Sequence, residues 1–310
     1  MTPEQYAVLQ AAISAAAASY AAQFAALFVA PAISAVEWIR LLQLTYPTVQ
    51  TFRERSAVLA REFYDSQRSE FHPELPRHDR ALETYEFEWF VENMEPVRKK
   101  FTAPNAPQSV VAQFSLQFVK EVENAGRKQI IHAVEDDDVV EEKVKKEKKQ
   151  KSPFLRKSGK RPVLGWARVA TGRETCAFCL ALISREPVYK SAKTGGSKFD
   201  NETTVAAIKE GVPPDEWMRE WHTGCDCMVV PVYDLENWVG KPAQERALEL
   251  WNDATDDADE FIEANPGRVH KTGKKKGQPY TYNEEVMLAL RRKLDSGAIS
   301  SQEWAALQAA

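Results

Sequence analysis

Two stretches, GRETCAFCLALISREPVYKS at 172–191 and WHTGCDCMVVPVYD at 221–234, hold all four cysteines of the chain. Cys176 and Cys179 form a Cys-x-x-Cys turn. His222, Cys225 and Cys227 form His-x-x-Cys-x-Cys, with 42 residues separating Cys179 from His222. Zinc takes four sulfur or nitrogen ligands in a tetrahedron, and a Cys-x-x-Cys turn sets two thiolates on one side of such a site. The second motif can supply the other two. Four of the five residues Cys176, Cys179, His222, Cys225 and Cys227 are therefore expected to hold a structural zinc. The favoured set is Cys176, Cys179, His222 and Cys225, with Cys227 substituting or buried nearby. Disulfide pairing and a metal-free cluster of buried thiols are the alternatives that spacing leaves open.

Residues around the motifs carry strand and helix patterns. VLGWARVATG at 163–172 reads as a strand, TCAFCLALI at 175–183 as a short helix, and 186–191 as a second strand. PPDEWMREWH at 213–222 reads as a short helix and CMVVPVYD at 227–234 as a closing strand. These give a small zinc-knuckle-like α+β domain at 161–235.

Upstream, 1–134 reads as a helical N-terminal domain. Helices are expected over the uncharged alanine-rich start, then 36–44, 52–65, 80–101 and 109–134, with prolines 47, 73, 76, 104 and 107 between them. Residues 5–36 carry no charge, but their alanine content makes them a poor lipid-crossing segment, so no stable membrane span is expected. Thr2-Pro3-Glu4-Gln5 predicts a capped helix start. Leu9, Ile13, Tyr20, Phe24 and Phe28 form its expected bulky stripe. Tyr85, Phe87, Trp89 and Phe90 are expected to mark contacts between helices. Between the two regions, 135–160 reads as a charged flexible linker. It opens with EDDDVVEE, and 143–161 holds ten Lys or Arg against one Glu. Downstream, 236–310 reads as a helical extension, with helices near 242–265, 283–296 and 300–308 and a basic loop, GRVHKTGKKKG, between the first two. A net charge of −4 excludes a uniform polycation, so contact with nucleic acid would have to come from the local basic segments, 143–161 and 268–276.

The two cysteine segments together resemble the minor head protein family of tailed phages typified by the Mu F protein, in its actinobacterial-phage form. Cys176 and Cys179 match that family's first segment. His222, Cys225, Cys227 and Pro231 match its second. Asp226 departs from it, standing where the family more often has a basic residue. The resemblance covers about 75 of the 310 residues. It implies a virion component made in the bacterial cytoplasm and built inside the capsid near the portal protein. Its implied partners are the portal, the major capsid and scaffold proteins, and double-stranded DNA touched without reading sequence.

The rival class is enzymatic: a capsid maturation protease. A serine protease needs a nucleophile, a base and an orienting group. The five histidines, 72, 78, 132, 222 and 270, lie in no nucleophile motif, so no catalytic residue is assigned. A catalytic metal would need an open position and a nearby base such as Glu220 or Asp226, whereas four protein ligands close the shell. A C-terminal nuclease or toxin module is disfavoured by the short helical extension.

Overall fold

The computed structural model describes residues 1–28, 33–78, 80–82, 84–101, 109–137, 162–173, 176–184, 221, 223–273 and 275–307. The expected strand at 186–191 and helix at 213–222, apart from Trp221, lie outside these, as do His222, Glu220 and the basic stretch 143–161.

Four helices come first: α1 (Pro3–Ala26), α2 (Ala35–Phe71), α3 (Phe87–Phe101) and α4 (Ser109–Asp136). Helix α1 begins as expected, with a reciprocal capping box: Gln5 N–H donates to Thr2 Oγ1 and Thr2 N–H to Gln5 Oε1. Its buried face differs from the expected bulky stripe. Ala17, Ala21 and Ala25 are fully buried with Tyr6 and Ile13, while Leu9 is exposed. Without bulk on that face, α1 lies close against α4, and Tyr20 and Phe24 flank the seam half-buried. The helix also has the length and hydropathy of a membrane-crossing segment.

Helix α2 runs unbroken through Pro47, where two helices were expected. Proline removes one N–H and crowds the preceding turn. Here Thr45 Oγ1 donates to the Leu41 and Leu42 carbonyls just upstream, and Tyr46 is pinned by its hydroxyl to the Tyr85 carbonyl. The turn is thus held from outside its own ladder. Conversely, 80–82 and 84–86 are irregular and α3 starts only at Phe87. Tyr85 leaves the helical path to lie over Arg53, 3.6 Å from guanidinium to ring centre. Phe90 is buried, but Trp89 is exposed. Trp38, Phe90, Phe101, Phe114 and Phe118 fill the bundle core in edge-on and tilted pairs.

Helix α4 extends two residues past the expected end, and Asp137 is buried. Arg68 grips Asp137 through Nε (2.7 Å) and Nη2 (2.8 Å), and the Tyr64 hydroxyl donates to it at 2.8 Å. The start of the acidic run therefore belongs to the folded body, because a buried carboxylate with three donors is satisfied.

Strands β1 (Gly165–Val169) and β2 (Met228–Val232) pair antiparallel, Gly165 opposite Val232 and Val169 opposite Met228. Every residue of both strands is buried. Helix α4 covers the sheet, and α5 (Ala177–Ile183) packs on β1. Helices α6 (Lys241–Ala264) and α7 (Tyr282–Asp295) pair with each other, and both pack on α5. The expected last helix is instead one 3₁₀ turn, Ser301–Trp304. Trp304 is fully buried and Ala305 bridges to Ala170 beside β1, so the chain is drawn out of helical geometry. Gly172 (φ +83°) makes the turn after β1. A Cβ there would lie 2.9 Å from Ala305 and Gln302.

Candidate metal centre

The antiparallel register brings the two cysteine motifs together. Cys227 immediately precedes β2, and β1 ends opposite it at Val169. The chain then turns at Gly172 and re-enters α5, with Cys176 as N-cap residue and Cys179 in the first turn. The Cys179 thiol turns toward the Cys225-Asp226-Cys227 loop. The Cys179 thiol hydrogen-bonds with those of Cys176, Cys225 and Cys227, and its sulfur is 3.4 Å from that of Cys225. The sulfurs of Cys179, Cys225 and Cys227, all buried, lie within 4.8 Å of one another.

Two tetrahedral zinc ligands with Zn–S near 2.3 Å stand about 3.8 Å apart. The observed spacing suits a shared ion and is far from the roughly 2.05 Å of a disulfide; none of the four cysteines is disulfide-bonded. Cys227 is one of the three converging sulfurs rather than a bystander. Half-buried Cys176 joins through Cys179, and His222 lies outside the described residues. The thiol set can thus hold a thiophilic metal ion. Hydrogen bonds from the neighbouring thiols, then burial, push the Cys179 thiol far above its ordinary range. Cys227 is also raised: its bond with Cys179 acts the other way, but Cys225 and burial outweigh it. Thiols crowded like this keep their protons until a cation replaces them.

Asp226, between the two cysteines, is buried. Its Oδ2 accepts from Thr171 Oγ1 (2.8 Å) and from the Arg173 N–H (2.9 Å), tying the loop to the end of β1. The residues that seat the loop on the bundle were not among the expected site residues. Arg127 of α4 donates from Nε to the Cys227 carbonyl (3.0 Å) and from Nη2 to the Cys225 carbonyl (2.8 Å). Its guanidinium lies 4.4 Å from the Trp221 ring centre, and that of Arg168 lies 3.8 Å from the same ring. Glu123 meets Arg127 Nη2 at 2.9 Å and accepts from Ser14 of α1 at 2.8 Å. Burial raises the Glu123 carboxyl against the opposing pull of Arg127 and Ser14. A Glu–Arg pair at i, i+4 inside the apolar stripe of α4 was the available sequence signal.

A family model described as VG15 protein matches residues 1–254, a span that includes the bundle and every cysteine. The chain is 45% identical to the Gene 15 protein of Mycobacterium phage D29 over 285 residues, covering 89% of this chain and 93% of that protein. It is 42% identical to the Gene 15 protein of Mycobacterium phage L5 over 321 residues, covering 98% and 99%. No solved structure matches. Matched along most of its length by that family model and by two mycobacteriophage proteins, the chain belongs to the VG15 family of phage proteins.

Proposed function

We propose that this chain is a head-morphogenesis protein of a tailed phage: a minor capsid component, inside the head near the portal, that assists procapsid assembly. The observation that carries the reading is the convergence of Cys179, Cys225 and Cys227 into one buried cluster. The cluster draws sulfurs from both cysteine segments, which supports the Mu F-like resemblance in a chain of a phage protein family. Zinc is the proposed ion, held by four of Cys176, Cys179, His222, Cys225 and Cys227. A buried shell of thiolates suits a staple that holds a small fold together, whereas a catalytic zinc keeps a position open for water. The portal, major capsid and scaffold proteins are the proposed protein partners.

Contact with double-stranded DNA is proposed through 143–161 and through the loop between α6 and α7. Within that loop, Arg268 is bound to Glu285 and Lys275 to Glu284, both at 2.7–2.8 Å. Lys271 and Lys276 are exposed, and neither has an ion-pair partner among the described residues. Asp253, Asp256, Asp257, Glu260 and Glu263 of α6 are exposed and repel phosphate, so any approach is confined to the loop tip.

Mass spectrometry of purified virions and a particle reconstruction test the location: the chain is expected inside the capsid beside the portal, and its absence from virions overturns the proposal. Zinc analysis is expected to give one ion per chain. Two of the histidines weighed for the protease alternative have structural contacts: His72 bonds Glu74 and the Pro162 carbonyl, and His270 stacks on Tyr280 and faces Glu284. New fragments on mixing with scaffold and major capsid protein would favour that alternative.

A further inference from the structure

We infer that Arg127 is the positioning residue through which metal loading of the thiol cluster and the seating of α1 on α4 become one linked event. The inference rests on the metal reading above and adds a regulatory consequence to it. Arg127 belongs to neither cysteine motif, yet its fork spans both residues of the Cys-x-Cys turn, with Nε on the Cys227 carbonyl at 3.0 Å and Nη2 on the Cys225 carbonyl at 2.8 Å. Fixing these two carbonyls fixes the peptide planes that follow Cys225 and Cys227, and so restrains the direction in which each sulfur leaves the backbone. Asp226 holds the same turn from the other side through Thr171 and the Arg173 N–H. The turn is therefore gripped between α4 and the end of β1.

The grip continues away from the sulfurs. Nη2 of Arg127 meets Glu123 at 2.9 Å, and Glu123 accepts from Ser14 at 2.8 Å. Ser14 and Arg127 are buried. A continuous path thus runs from α1 through α4 to the backbone of two sulfur residues. Arginine suits this place because its rigid planar fork presents donors from separate nitrogens in fixed directions, whereas lysine offers a single point charge. Partners that orient metal ligands typically change metal affinity by 10–100-fold when removed. Binding linkage is reciprocal: if a seated α1 and α4 strengthen metal binding, bound metal strengthens their seating by the same factor.

The test uses the full-length chain, stripped of metal under reducing conditions and titrated with Co²⁺ and then Zn²⁺. The wild type is expected to give the visible spectrum of tetrahedral thiolate-bound cobalt. On loading, amides of residues 6–21 should gain protection from hydrogen exchange. Arg127→Lys is expected to bind cobalt at least about 10-fold more weakly, with a shifted spectrum, and to lose the metal-dependent protection of α1. Ser14→Ala, on another helix, is expected to weaken binding by a smaller factor in the same direction. Equal affinities and spectra in all three proteins, or α1 protection that ignores metal, would overturn the coupling while leaving the metal site standing. If Arg127→Lys fails to fold, Ser14→Ala decides by the same readouts. Absence of metal uptake by the wild type would remove the metal reading itself, and the coupling with it.

Discussion

Gly126→Ala probes how tightly α1, α2 and α4 meet beside the Arg127 grip. A Cβ at position 126 would lie 2.7 Å from Ser56 Oγ, 3.1 Å from the Ser56 carbonyl oxygen and 3.2 Å from the Tyr6 hydroxyl. Ser56 Oγ could rotate away, but it donates a buried hydrogen bond to Gln10 at 2.8 Å, worth about 1 kcal/mol. The carbonyl belongs to the α2 backbone. Tyr6 is stacked on Phe63 with ring centres 4.5 Å apart. Relieving such overpacking costs about 1–3 kcal/mol. Against this, alanine gains about 1 kcal/mol over glycine inside a helix. The balance is a net destabilisation of about 1–3 kcal/mol, and each kcal/mol lowers the melting temperature of a body this size by roughly 2–4 °C. Urea and thermal unfolding of the two proteins measure it. A variant as stable as wild type, or more so, would refute the close approach. Adding Ser56→Ala should recover part of the loss, with a coupling of about 0.5–3 kcal/mol.

Asp137→Ala leaves Arg68 and Tyr64 with a missing acceptor and is expected to cost about 3–5 kcal/mol in urea unfolding, far more than a typical change in a linker. Cys179→Ser is expected to take zinc content from one per chain toward none and to lower thermal stability, read by metal analysis and calorimetry. At Glu284, partial burial opposes ionisation, but Lys275 and the Thr281 N–H and hydroxyl outweigh it and hold the carboxyl at about 2, against an ordinary 4.5. Its folded value is depressed, so its contribution is complete above about 4.5 and is lost as pH falls through about 2. An acid titration of the α7 amides should follow this window, and Glu284→Gln should flatten the response. Lys271→Glu with Lys276→Glu should reduce the slope of log affinity for DNA against log salt by about 2 if both lysines meet phosphate; an unchanged slope removes the loop from the interface.

Much of the architecture was readable in the residues. The cap at Thr2, the helical N-terminal region, the two strands and the Cys-x-x-Cys helix all follow from local pattern, because each depends on neighbours in sequence. What was not readable depends on distant partners. Pro47 signalled a break, but Thr45 and the Tyr46–Tyr85 bond hold the helix through it. The aromatic stripe of α1 looked like its inner face, yet close approach to α4 favours the alanines there. Asp137 sits in an acidic run that resembles a solvated linker, and Arg68 and Tyr64, about 70 residues earlier, make its burial tolerable. At the site, the thiols were legible from spacing. Arg127 was not, because its work is done on backbone carbonyls about 100 residues away.

The bridge from Ala305 to Ala170 bears on the order of biosynthesis. Ala306 and Leu307 donate to the Ala170 carbonyl, while Ser301 and Gln302 hold that of Gly172, at the start of the turn that leads to Cys176. A nascent chain on the ribosome can form the bundle early, but these contacts at the end of β1 stay unmade until the residues near 305 have emerged. The thiol-bearing turn therefore reaches its final setting only after a segment about 130 residues beyond Gly172 has been made.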